Sequence, residues 1–349
     1  MDIRAIDLFC GAGGLTCGLK ESGINVVAGI DFNEYCKFPF EFNNKAKFIH
    51  SKIEDINAEE LMPFYKNADI KVLVGCAPCQ PFSKHTTKIR NKKNKKDEKW
   101  YLINHFKRLI NELKPDIISM ENVPLLSQQQ IFKSFINNLK KEGFFISWDK
   151  VYCPDYGIPQ SRTRLVLLAS KIGKIELMPK TRDKDNYITV REIIGDLEPL
   201  EAGAISRKDP LHRARNFSKK NLERIKQSKP GGTWKDWDED LICECHKKDS
   251  GKSYSSVYAR MEWDKPSPTI TTQFTSYGTG RFGHPEQNRA LSFREGALLQ
   301  TFPKKYKFFK DEIPLDEVGK MIGNAVPVTL GKVIGESIIS HLEVYYDKK

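Results

Sequence analysis

The sequence contains no apolar run long enough to cross a bilayer, and Met1-Asp2-Ile3-Arg4 has neither the basic nor the apolar region of a secretory leader. Membrane insertion and export are therefore not expected, and a cytoplasmic protein is. A disulfide framework is missing as well. Eight cysteines are scattered over 349 residues without the tight spacing of a small stapled domain, so they read as reduced thiols. No internal repeat is visible. Negative charge is in short supply: the formal net charge is +12, which suggests an anionic polymer as partner, although basic charge also serves solubility.

What is present is a soluble globular chain, 29% charged and 39% apolar, long enough for one large domain and a smaller one. Ile3 to Phe9 reads as a short strand, followed at once by Cys10-Gly11-Ala12-Gly13-Gly14-Leu15 and a helical stretch to Gly23. Glycines at such a junction let the backbone approach a ligand and leave the helix's first N–H groups facing it, which implies a nucleotide-like cofactor. A dinucleotide fingerprint would need glycine at position 16, where Thr16 stands, so an NAD oxidoreductase falls behind an S-adenosylmethionine enzyme. Val26 to Ile30 reads as a second strand ending at Asp31, a carboxylate placed to accept hydrogen bonds from ribose hydroxyls or, more blandly, to cap a helix. Phe32 would then lie beside the adenine.

The stretch Val74-Gly75-Cys76-Ala77-Pro78-Cys79-Gln80-Pro81-Phe82-Ser83 follows an apolar strand from Ile70. An open α/β sheet places its chemistry beyond the carboxyl ends of such strands. Cys79, with its backbone fixed by Pro78 and Pro81, is the candidate nucleophile. A buried structural cysteine is the alternative, weakened here because the surroundings are a proline-bracketed loop. Lys84 to Lys99 then carries eight basic residues against two acidic ones and reads as an exposed lid that closes over a phosphate backbone, or as a solvated charge run. Apolar residues at helical spacing follow, with Leu102, Phe106, Leu109, Ile110 and Leu113 expected in the core. Asp116 to Met120 reads as a buried strand ending in Glu121-Asn122-Val123-Pro124, and Leu165 to Ala169 as another, entered through Gln160-Ser161-Arg162-Thr163-Arg164. Arginines two apart at a strand's start are expected to project to one side, toward a carboxylate or phosphate.

The loop from Gly75 to Ser83 closely resembles the Pro-Cys-Gln loop of DNA (cytosine-5)-methyltransferases, the bacterial type that accompanies restriction systems. Asp7-Leu8-Phe9-Cys10-Gly11-Ala12-Gly13-Gly14 resembles the family's cofactor motif, Glu121-Asn122-Val123 its acidic motif, and Gln160 to Arg164 its Gln-x-Arg-x-Arg motif. Arg260 to Thr272, Leu291 to Pro303 and Met321-Ile322-Gly323-Asn324-Ala325-Val326-Pro327 also match relatives. The resemblance runs in order over about residues 1 to 170 and 258 to 340.

It implies a doubly wound mixed α/β sheet of the S-adenosylmethionine-dependent methyltransferase type with a second, smaller target-recognition domain. The domains implied are 1–180, catalytic and completed by 263–349, and 181–262, whose many Lys and Arg residues would form the far wall of a nucleic-acid cleft. Cofactor-binding residues implied are Asp7, Phe9, Gly11, Gly13, Gly14, Asp31, Phe32, Ile53, Pro78, Asn324 and Ala325. The family's adenine-contacting Asp-Ile pair is Lys52-Ile53 here, and a lysine cannot accept that hydrogen bond. The final motif is expected to return to the first strand, so the two ends of the chain should meet.

The implied catalytic set is Cys79, Glu121, Arg162 and Arg164: thiolate attack at C6 of a flipped-out cytosine, an acid at N3, an arginine on the O2 edge and a second beside the thiolate or a phosphate. Double-stranded DNA is the expected partner of a monomer, with a cognate restriction endonuclease as a candidate second partner, in a bacterial cell or phage-infected host. A tRNA cytosine-5 methyltransferase and a catalytically silent DNA-binding relative are the alternatives. Cys243, Cys245 and His246 lack the two-residue spacing of a usual zinc-ligand pair, and no metal is expected.

Overall fold

The structure, a computed structural model, describes residues 1–78 and 101–346; Cys79 and the basic stretch 84–99 lie outside them. Among the described residues there are nine strands: β1 (Ile3–Leu8), β2 (Asn25–Asp31), β3 (Lys47–His50), β4 (Ile70–Gly75), β5 (Ile117–Asn122), β6 (Phe145–Tyr152), β7 (Gln160–Ser161), β8 (Thr163–Ser170) and β9 (Ser267–Pro268). Seven form one sheet in the order β3-β2-β1-β4-β5-β8-β6, with β3 through β5 parallel and β8 antiparallel to both of its neighbours. The strand order reverses between β1 and β4, so the crevice beyond the carboxyl ends of those strands is where such a sheet binds ligands.

Hydrophobic patterning accounts for this arrangement. Every residue of β5 is buried, as expected of an interior strand covered on both faces, whereas β6 is exposed or half-buried at every position but Val151 and takes the edge. The helix Tyr101–Leu113 turns Ile103, Phe106, Leu109, Ile110 and Leu113 into the core at 3.6-residue spacing. Leu102 stays only partly buried, one position off that stripe.

The chain divides into two compact units: residues 1–156, 163–181 and 326–349 form the first, and 157–162 with 182–325 the second. The two ends of the chain do meet in the first unit. The helix Val328–Tyr346 packs on the helix Gly14–Glu21 so closely that a Cβ at Gly18 would sit 2.1 Å from the Val328 carbonyl oxygen, and one at Gly335 1.9 Å from Ser22 Oγ. Glycine makes that approach available.

The second unit is larger than the 181–262 stretch read from the sequence, and the return to the first begins at Val326 rather than at 263. The reason is Arg260. Its buried guanidinium binds the carbonyls of Ile225 and Ser228 on one side of the expected boundary and those of His284 and Gln287 on the other, at 2.7–2.9 Å. One side chain thereby ties both stretches into one body. A buried ion pair between Arg289 and Glu295, with nitrogen–oxygen distances of 2.7 and 2.8 Å, and an aromatic cluster of Trp234, Trp237 and Tyr277 complete its interior.

Candidate active site

Two loops at the carboxyl end of the sheet are held together by Asp31. Its Oδ2 accepts from Gly11 N and its Oδ1 from Asn33 N, both at 2.9 Å, so one carboxylate links the turn after β1 to the turn after β2. Burial pushes the Asp31 carboxyl above its usual range, opposed by the Asn33 and Gly11 amides. The Phe32 amide also meets this carboxylate, which still keeps acceptor capacity for a ligand.

The turn after β1 is strained in a way that serves a ligand. Phe9 has φ 62°, an outlier for an aromatic residue, while Gly11 and Gly13 take φ 51° and 88°. No atom lies within 4 Å of where a Gly11 Cβ would be, so this side of the turn is open. Gly13 is the N-cap of the helix Gly14–Glu21 and offers no capping side chain, leaving the first-turn amides to an anionic or polar guest. Next to Asp31, Phe32 is 65% exposed, a free aromatic face at the end of a buried strand.

Beneath the turn, Asp7 is buried; Thr16 Oγ1 donates to its Oδ2 at 2.7 Å, and its Oδ1 has no hydrogen-bond partner among the described residues. Burial, only partly offset by Thr16, pushes the Asp7 carboxyl up to about 7. Thr16, the residue that breaks the dinucleotide fingerprint, is thus the hydroxyl that meets one of the two Asp7 oxygens. Cys10 is buried beside them, and burial, followed by the charge of Asp31, pushes its thiol up, so it is an inert thiol. Ile53 packs its side chain into the core, while its carbonyl accepts from Arg108 Nη2 at 3.2 Å.

On the other side of β1 stands a cluster built on β4, β5 and β8. Glu121 pairs with Val166 across the antiparallel ladder, and Arg164, two residues before Val166, shares its face of β8. Arg164 Nε lies 2.9 Å from Glu121 Oε1, while Cys76 Sγ donates to Glu121 Oε2 at 2.7 Å. Arg164 meets Oε1 as an ion pair by distance but not as a directed hydrogen bond, so this buried oxygen still has an acceptor position unused. Asn122 Nδ2 donates to the Ala77 carbonyl at 3.0 Å, fastening the loop Cys76-Ala77-Pro78 from which the chain runs to Cys79.

The two arginines expected to share one side of a strand are divided. Arg162 precedes β8 and belongs to the second unit, where its guanidinium is drawn to the carbonyls of Ile270 and Ala325 at 3.4 and 3.5 Å. Asn324 and Ala325 end the helix Leu315–Asn324 in that same unit. Sequence reasoning did not single out Cys76 or the Asn122 bond to Ala77. The available signal was Cys76's place three residues before Cys79, just past a buried strand.

Comparison with solved structures places this architecture in the S-adenosylmethionine-dependent methyltransferase fold. A DNA modification methyltransferase encoded within an E. coli prophage superposes with a TM-score of 0.75 at 22% identity, covering 98% of this chain and 99% of that one. The S. pombe Dnmt2 methyltransferase superposes at 0.66 and 17% identity, covering 99% of each. The model of the C-5 cytosine-specific DNA methylase family matches residues 3–340, and the chain belongs to that family. It is 51% identical to the type II methylase M.HgiDII of Herpetosiphon aurantiacus, over 99% of this chain and 97% of that protein. Identity to the type II methyltransferase M.Eco47II of Escherichia coli is 30%, over 97% and 79%. The protein is thus an enzyme, a cytosine-C5 DNA methyltransferase with type II restriction-modification relatives. Among the described residues, no helix is long and apolar enough to cross a membrane.

Proposed function

We propose that this enzyme methylates C5 of a cytosine swung out of a specific double-stranded DNA sequence, using S-adenosylmethionine and a transient bond between Cys79 and C6. The observation that carries the reading is the Glu121 carboxyl, held by Cys76 and Arg164 with one buried oxygen still able to take a hydrogen bond. A pyrimidine edge can supply that partner.

The residues around the first turn fit S-adenosylmethionine. The open side of Gly11 and the uncapped helix start suit its methionine end, the remaining acceptor capacity of Asp31 its ribose, and the exposed Phe32 its adenine. Phe9, Gly13, Gly14, Ile53 and Pro78 complete the set in the first unit, with Asn324 and Ala325 assigned to it by motif. Bound there, the cofactor supplies a methyl group made electrophilic by a sulfonium.

Cytosine C5 is a weak nucleophile until the ring is opened to attack. The Cys79 thiolate adds to C6, breaks the aromaticity and places electron density on C5. Glu121 exchanges a proton at N3, where the resulting charge collects, and Arg164 holds both Glu121 and the O2 edge of the base. Loss of the C5 proton to a base then expels the cysteine and restores the ring. Arg162, engaged with the backbone of the second unit, acts as a positioning residue for its neighbour Arg164.

The target cytosine is out of reach inside a stacked duplex, so it must leave the stack. Exposed basic residues of the second unit, among them Arg207, Lys208, Lys219, Lys220, Lys226 and Lys229, offer the phosphate grip that offsets the lost stacking. A cognate restriction endonuclease, suggested by the type II names of the relatives, a monomeric state and a cytoplasmic location complete the reading.

Cys79→Ser is expected to remove methyl transfer to duplex DNA while leaving DNA binding intact, measured by tritiated methyl incorporation and by gel shift. A variant that still transfers methyl groups overturns the covalent mechanism. Preferential methylation of tRNA over duplex DNA by the wild type overturns the substrate.

A further inference from the structure

We propose that the second unit carries a zinc site formed by Cys243, Cys245 and His246. The ligand atoms of these three side chains lie within 4.8 Å of one another, the only such group of three His, Cys, Asp or Glu residues among the described residues. Two sulfurs and an imidazole form a donor set that suits zinc, with a fourth, tetrahedral position left to water on the exposed Cys245 side. Binding turns both thiols into thiolates and releases their two protons to solvent.

The sequence argued against a metal because the ligands do not come as two separated pairs. The fold removes that objection by gathering all three on one turn: His246 N donates to the Cys243 carbonyl at 2.8 Å, which brings position 246 back over position 243. The supporting shell is already in place. The buried His246 ring stacks on Trp234 with centroids 4.4 Å apart, and its Nδ1 faces the Gly251 carbonyl at 3.5 Å, an acceptor for the nitrogen not used by the metal. Gly251 can come that close only without a side chain, since a Cβ there would sit 1.8 Å from the Cys245 carbonyl oxygen. The Tyr258 ring meets the His246 ring edge-on, with centroids 6.0 Å apart, and adds to the shell that holds the imidazole. Trp234 Nε1 donates to the Tyr254 carbonyl at 2.7 Å, so the turn is anchored to the aromatic core.

The test uses the full-length protein, reduced, loaded with zinc and desalted. One zinc per chain is expected by metal analysis, and cobalt(II) in its place should give a sulfur-to-cobalt charge-transfer band. Cys245→Ser alters an exposed side chain and is expected to fold; it should weaken zinc binding at least about tenfold and abolish the sensitivity of the melting temperature to chelator. His246→Gln should do the same. Three results would overturn the site: no zinc on the desalted wild type, a charge-transfer band undiminished in Cys245→Ser, or a Cys243–Cys245 disulfide in protein isolated under air.

Discussion

The two units of this enzyme treat their buried carboxylates in opposite ways. In the first, Asp7 Oδ1 and Glu121 Oε1 are buried carboxyl oxygens without a directed hydrogen bond among the described residues, Glu121 Oε1 having only its ion pair with Arg164, and both lie close to the carboxyl ends of strands where the ligands are assigned. In the second, Arg260 spends its guanidinium on four carbonyls and Asn288, and Arg289 meets Glu295 with two parallel bonds. Native interiors rarely leave polar groups unmet, so capacity left over marks places awaiting a substrate, while capacity used up marks places that hold the fold.

The largest effect follows from the first half of that contrast. Glu121→Gln keeps the shape, and an oxygen able to accept from Cys76, but cannot exchange a proton, so kcat should fall by about 10²- to 10⁴-fold. The melting temperature should also fall, because Arg164 loses its anion, but by less than when the fully buried Arg289 loses Glu295. Single-turnover methylation beside a thermal melt makes the measurement; a rate loss below tenfold, or a melt that drops as far as that of Glu295→Gln, would place Glu121 with the structural charges instead.

Glu295→Gln tests the other half. Burial raises the Glu295 carboxyl, but the hydrogen bonds and charge of Arg289 outweigh it and bring it down to about 2. A carboxyl lowered in the folded state adds stability above its ordinary value of about 4.5, and that stability is lost as pH falls toward 2. Leaving Arg289 buried without its anion should therefore cost about 3–5 kcal/mol at neutral pH. The gap between variant and wild type should narrow in acid, as urea melts at several pH values would show.

The same contrast explains what could be read before the fold was known. Strand–glycine turns, the Pro-Cys-Gln loop and the Glu-Asn motif are local, and in sequence each stands at or just past the end of an apolar run, the Glu-Asn pair forming the last two residues of β5 itself. Arginine is another matter. Arg224 sits in the run that reads as a basic surface, yet it is buried, donating to the Leu241 carbonyl at 2.8 Å with its guanidinium 5.3 Å from the centre of the Trp237 ring. Little in the local sequence distinguishes it from exposed Lys226, because only Asn221, which accepts from its Nη1 at 3.1 Å, is on its own helix, and the Leu241 carbonyl and the Trp237 ring lie on another segment. Arg260, which moves the unit boundary, and Cys76, whose partner is Glu121, were hidden for the same reason.

Asp7 offers the finest test, because it separates unused capacity from simple burial. Burial raises its carboxyl from an ordinary value of 3.8 to about 7. Below the lower value both folded and unfolded chains hold the proton and pH has no effect. Between the two, the unfolded chain has lost its proton while the folded chain keeps it, so stability declines as pH rises, reaching its full loss above about 7. Asp7→Asn removes that decline. The variant should match the wild type near pH 4 and exceed it at pH 8 by a few kcal/mol at most, since each tenfold change in proton affinity on folding is worth about 1.4 kcal/mol. A variant destabilised equally at both pH values would make Asp7 a satisfied structural acid like Glu295, and the distinction between the two units would no longer rest on unmet carboxyl oxygens.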